Sequence, residues 1–275
     1  MTTTAPVPSS AIALRLLGNE TAKGVRVMWA HKAPLTLGLA YMAMLYWVIQ
    51  VFIGGGRLVG DVLAMTSVAF LGWVVLYIAS LRMVAGVLEE MYTGTLEQSL
   101  LSPLRPWVAS TGRLAAALVE GLLIAAVVAV LNLIILLAVQ GVELAFRLSA
   151  LIPLGITLLD IAGFVLLFGG IALVVNSIGA IIHVVQNVIM MLNGAFIPVF
   201  VFPDWLELAA KILIPTTLGL DATRQILVTG APFHQIWLNG TLLWAVVHAV
   251  ALLILGWVVY QGAIRRGLRE GRLGA

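Results

Sequence analysis

Apolar residues along this chain run in blocks too long for the elements of a soluble domain. A window of about 19 residues, the length of helix that covers ~30 Å of hydrocarbon at 1.5 Å per residue, selects six of them. They are Pro34 to Ile53, Val62 to Leu81, Leu114 to Val139, Leu148 to Val175, Ile178 to Phe202 and Thr241 to Gly262. The third, fourth and fifth exceed the thickness to be crossed, which predicts tilt, a kink or an overhang. Little more than Asn176 and Ser177 separates the fourth from the fifth, so these two form a tight antiparallel hairpin. The expected fold is an all-α membrane protein with six transmembrane helices over 34–262, preceded by a segment at 1–33 and followed by a basic tail at 263–275. Ala11 to Leu17 is too short for a signal-peptide core and is interrupted by Arg15, so the first span is expected to be retained.

Between the blocks the pattern changes. Residues 12–32 place Ile12, Leu16, Val25 and Trp29 among Arg15, Lys23 and Arg26, which predicts an amphipathic helix in the headgroup layer, weakened by Gly18 and Gly24. The connection from Arg82 to Arg113 is long for a helical hairpin. Within it Thr95, Leu96, Glu97 and Gln98 spell a capping box just after Gly94. Pro103 cannot continue that helix and pushes Ser102 out of the helical region, so it lasts about two turns. Leu96 and Leu100 stand at i and i+4 on one face, a shape suited to plugging a shallow groove on another protein. The connection from Pro203 to Gly240 is too apolar for a hydrophilic loop, and its prolines delimit Asp204 to Ile214 and Thr217 to Thr229. Each piece is too short to span. They form either a re-entrant pair, buried in protein or lining a cavity, or two amphipathic helices on the outer interface.

Composition narrows the class. Of 275 residues 62% are apolar and 10% charged, against a usual ~45–50% and ~25%, and the mean hydropathy is +1.11. A water-soluble globule is excluded. The absence of cysteine removes disulfides, thiolate zinc sites, iron–sulfur clusters and cysteine nucleophiles. Basic residues concentrate on alternate connections: Arg15, Lys23, Arg26 and Lys32 first, then Arg82, Arg105 and Arg113, then Arg265, Arg266, Arg269 and Arg272. Only Arg57, Arg147, Lys211 and Arg224 fall on the other side. Both termini are therefore expected in the cytoplasm, and the net charge of +3 implies no nucleic acid partner. Trp29, Trp107, Trp257 and Tyr260 fall near the inner interface and Trp205, Trp237 and Trp244 near the outer one, as an aromatic belt would.

A charge inside a span costs roughly 2.5–3.5 kcal/mol at the helix centre, so Glu120 and Asp160 need partners. Glu120 lies near the cytoplasmic end, as an interfacial carboxylate or one contacting Arg113. Asp160 is deeper and either makes a buried hydrogen bond or ion pair or lines a cavity. In the fifth span His183, Gln186, Asn187 and Asn193 share one broad face, as helix-joining polar groups or as substrate contacts. The four histidines, His31, His183, His234 and His248, are scattered over different segments, and no Ser/His/Asp or metal constellation is visible. None of the three lysines, Lys23, Lys32 and Lys211, completes a G-x-x-x-x-G-K-[ST] phosphate loop.

Glu90, Gly94, Thr95, Leu96, Glu97 and then Leu101, Ser102 and Pro103 resemble the cytoplasmic signature of the type-2 ABC transporter permeases. Pro203, Trp205, Leu206, Pro215, Asp221 and Arg224 are similar to that family's pattern between its fifth and sixth spans. Met91 and Tyr92 depart from it, standing where many members have Arg and Glu. The resemblance implies a permease subunit of an exporter in a bacterial cytoplasmic membrane, with two permease chains, identical or homologous, and two ATPase subunits. The amphipathic N-terminal segment and the coupling helix carrying Leu96, Leu100 and Leu101 would sit on the ATPase. It implies no cofactor on this chain, with ATP and magnesium on the partner, and a hydrophobic or amphipathic small molecule as cargo. The neighbouring alternative is export of a lipid-linked polysaccharide; a different class is an ion-coupled secondary transporter using Asp160 and Glu120.

Overall fold

The structure, a computed structural model, describes residues 9–30, 32–96, 106–140, 147–175 and 178–270. The described residues are helical almost throughout. In chain order they form α1 (Ser9–Ala30), α2 (Lys32–Ile53), α3 (Gly60–Tyr92), α4 (Pro106–Gln140), α5 (Leu151–Ala172), α6 (Ile178–Leu192), α7 (Asp204–Leu213), α8 (Thr217–Leu227), α9 (Phe233–Leu238) and α10 (Thr241–Glu270). Short 3-10 turns, Leu148–Ala150 and Val199–Val201, precede α5 and follow α6. Five stretches are long and apolar enough to cross a membrane: Thr36–Ile53, Val62–Tyr92, Ala109–Leu137, Leu148–Ala172 and Thr241–Arg269. This is the signature of a multi-pass, all-α membrane protein.

The fifth expected span is not one helix. Its helical part, Ile178–Leu192, has 15 residues, about 22 Å of rise and short of the hydrocarbon thickness. The chain then turns at Asn193, whose Oδ1 accepts the amide of Ala195 at 3.0 Å, and passes Gly194 at φ 86, a conformation open to glycine. Pro198, with no N–H to donate, leads into the following 3-10 turn.

Other boundaries move outward. α3 continues eleven residues past Leu81 to Tyr92 and α10 eight past Gly262 to Glu270. A hydropathy window closes at the first charges, whereas the backbone ladder runs on through them. The long connection expected from Arg82 is therefore mostly helix, and only 93–105 links α3 to α4. Gly94 ends α3 as expected, at φ 69 with its amide on the Met91 carbonyl. Glu97, Leu100, Leu101 and Pro103, the greater part of the expected coupling helix, lie outside the described residues, as does the Asn176–Ser177 hairpin turn. Thr95 and Leu96 are described. The Thr95 hydroxyl meets that of Thr93 at 2.9 Å, and Leu96 is 3% exposed and belongs to the chain's own core. Thr95 and Leu96 are helical, and Leu96 packs into this chain's own apolar core.

The core lies among α3, α4, α5 and α10. The most extensive contact is α5 on α10, and glycines set its closeness. A Cβ on Gly163 would come 2.5 Å from the Leu252 carbonyl carbon, one on Gly256 2.1 Å from the Gly163 oxygen, and one on Gly170 2.8 Å from Tyr260 Cα. Small residues bring membrane helices into backbone contact in this way. α2 is peripheral: 17% of its span is buried, against 61% for α3. It is pinned by Tyr46, fully buried and stacked on Phe70 at 4.6 Å, and by Trp47, whose Nε1 donates to Asn132 Oδ1 at 2.9 Å.

Gly163→Ala is expected to destabilise the bundle by about 1–3 kcal/mol, because the added methyl meets backbone that cannot yield. Gly155→Ala on the same helix, where nothing lies within 4 Å, should be neutral or slightly stabilising. Thermal unfolding followed by circular dichroism in detergent separates the two.

Candidate functional site

A cleft of 680 Å³ opens between α2, α3 and α6. Leu39, Tyr41, Met42 and Leu45 line it from α2, Trp73, Tyr77, Ile78, Leu81 and Arg82 from α3, Ile124 from α4, and His183, Asn187 and Met190 from α6. Helical spacing explains the α3 contribution, since Phe70, Trp73 and Tyr77 fall at i, i+3 and i+7 on one face. They form a ladder of rings: Phe70 to Trp73 at 5.7 Å, Trp73 to Tyr77 at 5.1 Å and Tyr77 to His183 at 6.1 Å between centroids. The Trp73 indole N–H donates to the Gln186 carbonyl at 3.0 Å, and the Tyr77 hydroxyl lies 3.5 Å from His183 Nδ1. The lining is mainly apolar, and Arg82 is the one charged side chain in it.

The polar face expected on the fifth span divides. His183 and Asn187, one turn apart, are exposed into the cleft, whereas Gln186 and Asn193 are fully buried. Asn193 reaches the Ala69 carbonyl of α3 at 3.4 Å, a helix-joining contact. The Gln186 amide has no partner among the described residues.

At the end of the bundle where α3 stops and α4 begins, ion pairs join the helices. Arg82 Nε lies 2.6 Å from Glu120, so the partner of Glu120 is Arg82, where the sequence offered either an interfacial carboxylate or a contact with Arg113. α1 rests on this pair: a Cβ on Gly24 would meet Glu120 Oε1 at 2.6 Å, so the glycine expected only to weaken that helix also lets it close on α4. Arg113 instead pairs with Glu90 and donates through Nη1 to the Tyr260 hydroxyl at 2.8 Å. One guanidinium thus ties α3, α4 and α10 together near the end of α3.

At the opposite end the two expected short pieces are α7 and α8, within two residues of their predicted bounds. Their environments differ. α7 carries exposed Trp205, Leu208 and Ile212, whereas α8 is packed on α3, α5 and α10 and buries Leu220, Ala222, Thr223 and Arg224. Pro203 starts α7 and the buried Pro215 sits in the turn between the helices. Asp160 is neither exposed nor in the cleft. It accepts the Thr216 amide at 2.6 Å on Oδ2 and faces His248 Nδ1 at 2.9 Å on Oδ1. Arg224, 4% exposed, donates from Nη2 to the carbonyls of Asn193 at 3.2 Å and Gly194 at 3.0 Å, where the chain leaves α6. A cation is favoured there because the last carbonyls of a helix carry its negative pole.

Sequence reasoning missed Arg82, Tyr77 and Trp73 as cleft residues and His248 as the partner of Asp160. The i, i+3, i+7 aromatic spacing on α3 was the available signal for Trp73 and Tyr77. The described residues include no group of three or more His, Cys, Asp or Glu able to hold a metal ion. No protein-family model matches the chain, and no curated protein matches it either.

Arg224→Met, which leaves two buried carbonyls unpaired, should cost roughly 1.5–3 kcal/mol. Lys211→Met breaks only the half-exposed pair with Glu207 and should cost at most about 0.5 kcal/mol. Denaturant unfolding of both variants checks the difference.

Proposed function

We propose that this chain is the membrane-spanning permease subunit of an ATP-driven exporter of the type-2 ABC class, coupled to a separate ATPase and paired with a second permease chain. In this reading it crosses a bacterial cytoplasmic membrane six times, α6 with the broken stretch to Phe202 making the fifth crossing. Both termini are cytoplasmic, because eleven of the fifteen basic residues then face inward. ATP and magnesium act on the partner. This chain supplies the path and the lever.

The observation that carries the reading is the Glu90–Arg113–Tyr260 tie beside the connection between α3 and α4. Glu90 is the first residue of the permease-like signature, and the connection it precedes is the segment expected to sit on the ATPase. Leu96 is anchored in the core, so docking falls to Glu97, Leu100 and Leu101. A push there is delivered to α3 and α4 directly and to α10 through the Tyr260 hydroxyl. Coupling requires such a contiguous element with two arrangements.

The cleft supports the choice of cargo. Its aromatic and aliphatic lining suits a hydrophobic or amphipathic molecule, and it presents no carboxylate to hold an organic cation. Asp160 is paired with His248 away from the cleft, and Glu120, which does not line it, is neutralised by the cleft's own Arg82, which favours the ATP-driven reading over the ion-coupled one.

Leu100→Asp is expected to abolish co-purification of the ATPase while leaving the melting temperature of the permease unchanged; an intact, active complex would overturn the docking role. Glu90→Gln should leave the complex assembled and weaken coupling by roughly 0.5–2 kcal/mol, read as transport per ATP hydrolysed in vesicles.

A further inference from the structure

Each ring nitrogen of His248 faces an acceptor. Nδ1 is 2.9 Å from Asp160 Oδ1 and Nε2 is 3.1 Å from the Ile212 carbonyl oxygen, while Asp160 Oδ2 accepts the Thr216 amide at 2.6 Å. A neutral imidazole has a single N–H and donates on one side only. All three contacts are satisfied only when the pair holds a second proton, as imidazolium against carboxylate or as imidazole accepting from a carboxylic acid. With that proton gone, a nitrogen lone pair faces either the Ile212 oxygen or the carboxylate. One contact becomes repulsive whichever tautomer forms.

The groups held by the pair belong to one turn. Ile212 lies in the last turn of α7 and Thr216 immediately precedes α8, with Pro215 between them. Thr216 has φ 76, the only positive φ at a non-glycine residue among those described, in a region that β-branched residues avoid. A strained turn persists where its surroundings hold it, and here the Asp160 carboxylate holds the strained residue's own amide.

Among the described residues no other charged side chain contacts the pair. Asp160 is the one titratable group of α5 here and His248 that of α10; on α7, Lys211 is paired with Glu207 at 2.5 Å. On α8, Asp221 accepts from Gln225 at 3.3 Å and Arg224 is engaged with Asn193 and Gly194. His234 on α9 is exposed.

We propose that Asp160 and His248 form a proton-dependent latch, which holds the Ile212–Thr216 turn against α5 and α10 while the pair keeps its second proton and releases it when that proton is lost. The latch stands independently of the exporter reading, since it needs neither nucleotide nor partner.

The chain has no native cysteine, which makes thiol labelling clean. Ile214→Cys places a thiol on the buried side of the turn and Leu213→Cys one on its exposed side, at positions 9% and 72% exposed. The ratio of their N-ethylmaleimide labelling rates in nanodiscs, taken between about pH 5 and about pH 9, cancels the thiolate dependence common to both. This ratio should rise several-fold as pH increases. In an Asp160→Asn background the amide oxygen still accepts from Thr216 and its NH2 donates to a neutral imidazole, so the ratio should stay low throughout. In a His248→Ala background it should be high throughout. A flat ratio in the chain with native Asp160 and His248, or an Asp160→Asn profile that rises in the same way, overturns the latch.

Discussion

Inside an apolar bundle every backbone amide and carbonyl must find a partner within the protein, and between α6 and α8 this chain meets that demand without a continuous helix ladder. Asn193 and Arg224 close the end of α6, and Asp160 takes the amide of Thr216. With those groups satisfied, α8 can lie buried against α3, α5 and α10 although it is too short to cross. Asp160 in turn finds His248 and the Thr216 amide, which offset the penalty of a carboxylate at membrane depth. Broken backbone and buried polar side chains therefore explain one another.

The two ends of the bundle do different work. One is cross-tied, with Arg82–Glu120 and Glu90–Arg113–Tyr260 joining the long helices where α3 ends. The other holds a short buried helix by a few directional contacts, one of which depends on a shared proton. Between them lies the cleft, bordered by the peripheral α2 and by α6, the shortest of the apolar helices. On the proposed reading, work enters at the tied end and reaches the cleft through α3, which borders it opposite the peripheral α2.

Much of the architecture was legible because hydropathy reports burial in hydrocarbon directly: five of the six expected spans coincide with long helices, and the prolines delimited α7 and α8 to within two residues. Span ends were not, since transfer energies of side chains say nothing about where hydrogen bonding stops, as α3 and α10 show. The break at Asn193 was written in Asn193, Gly194 and Pro198, but a window average hides three residues in an apolar run. Pairings across helices were the least accessible. Arg82 meets Glu120 and Asp160 meets His248 only after the helices pack, and nothing local to either sequence neighbourhood marks the partner. Leu96 shows the same limit, because a leucine at i of an i, i+4 pair serves its own core or a neighbour's groove with equal pattern.

The central claim, that non-spanning backbone is held inside the bundle by the side chains of Asp160 and Asn193, is tested most directly by hydrogen–deuterium exchange of the folded chain in lipid nanodiscs at mildly acidic pH. The account predicts that the amides of Ala195 and Thr216 exchange as slowly as those within α5, in keeping with internally paired groups. Exchange at those two amides as fast as at the exposed Gly55 and Gly56 would contradict it.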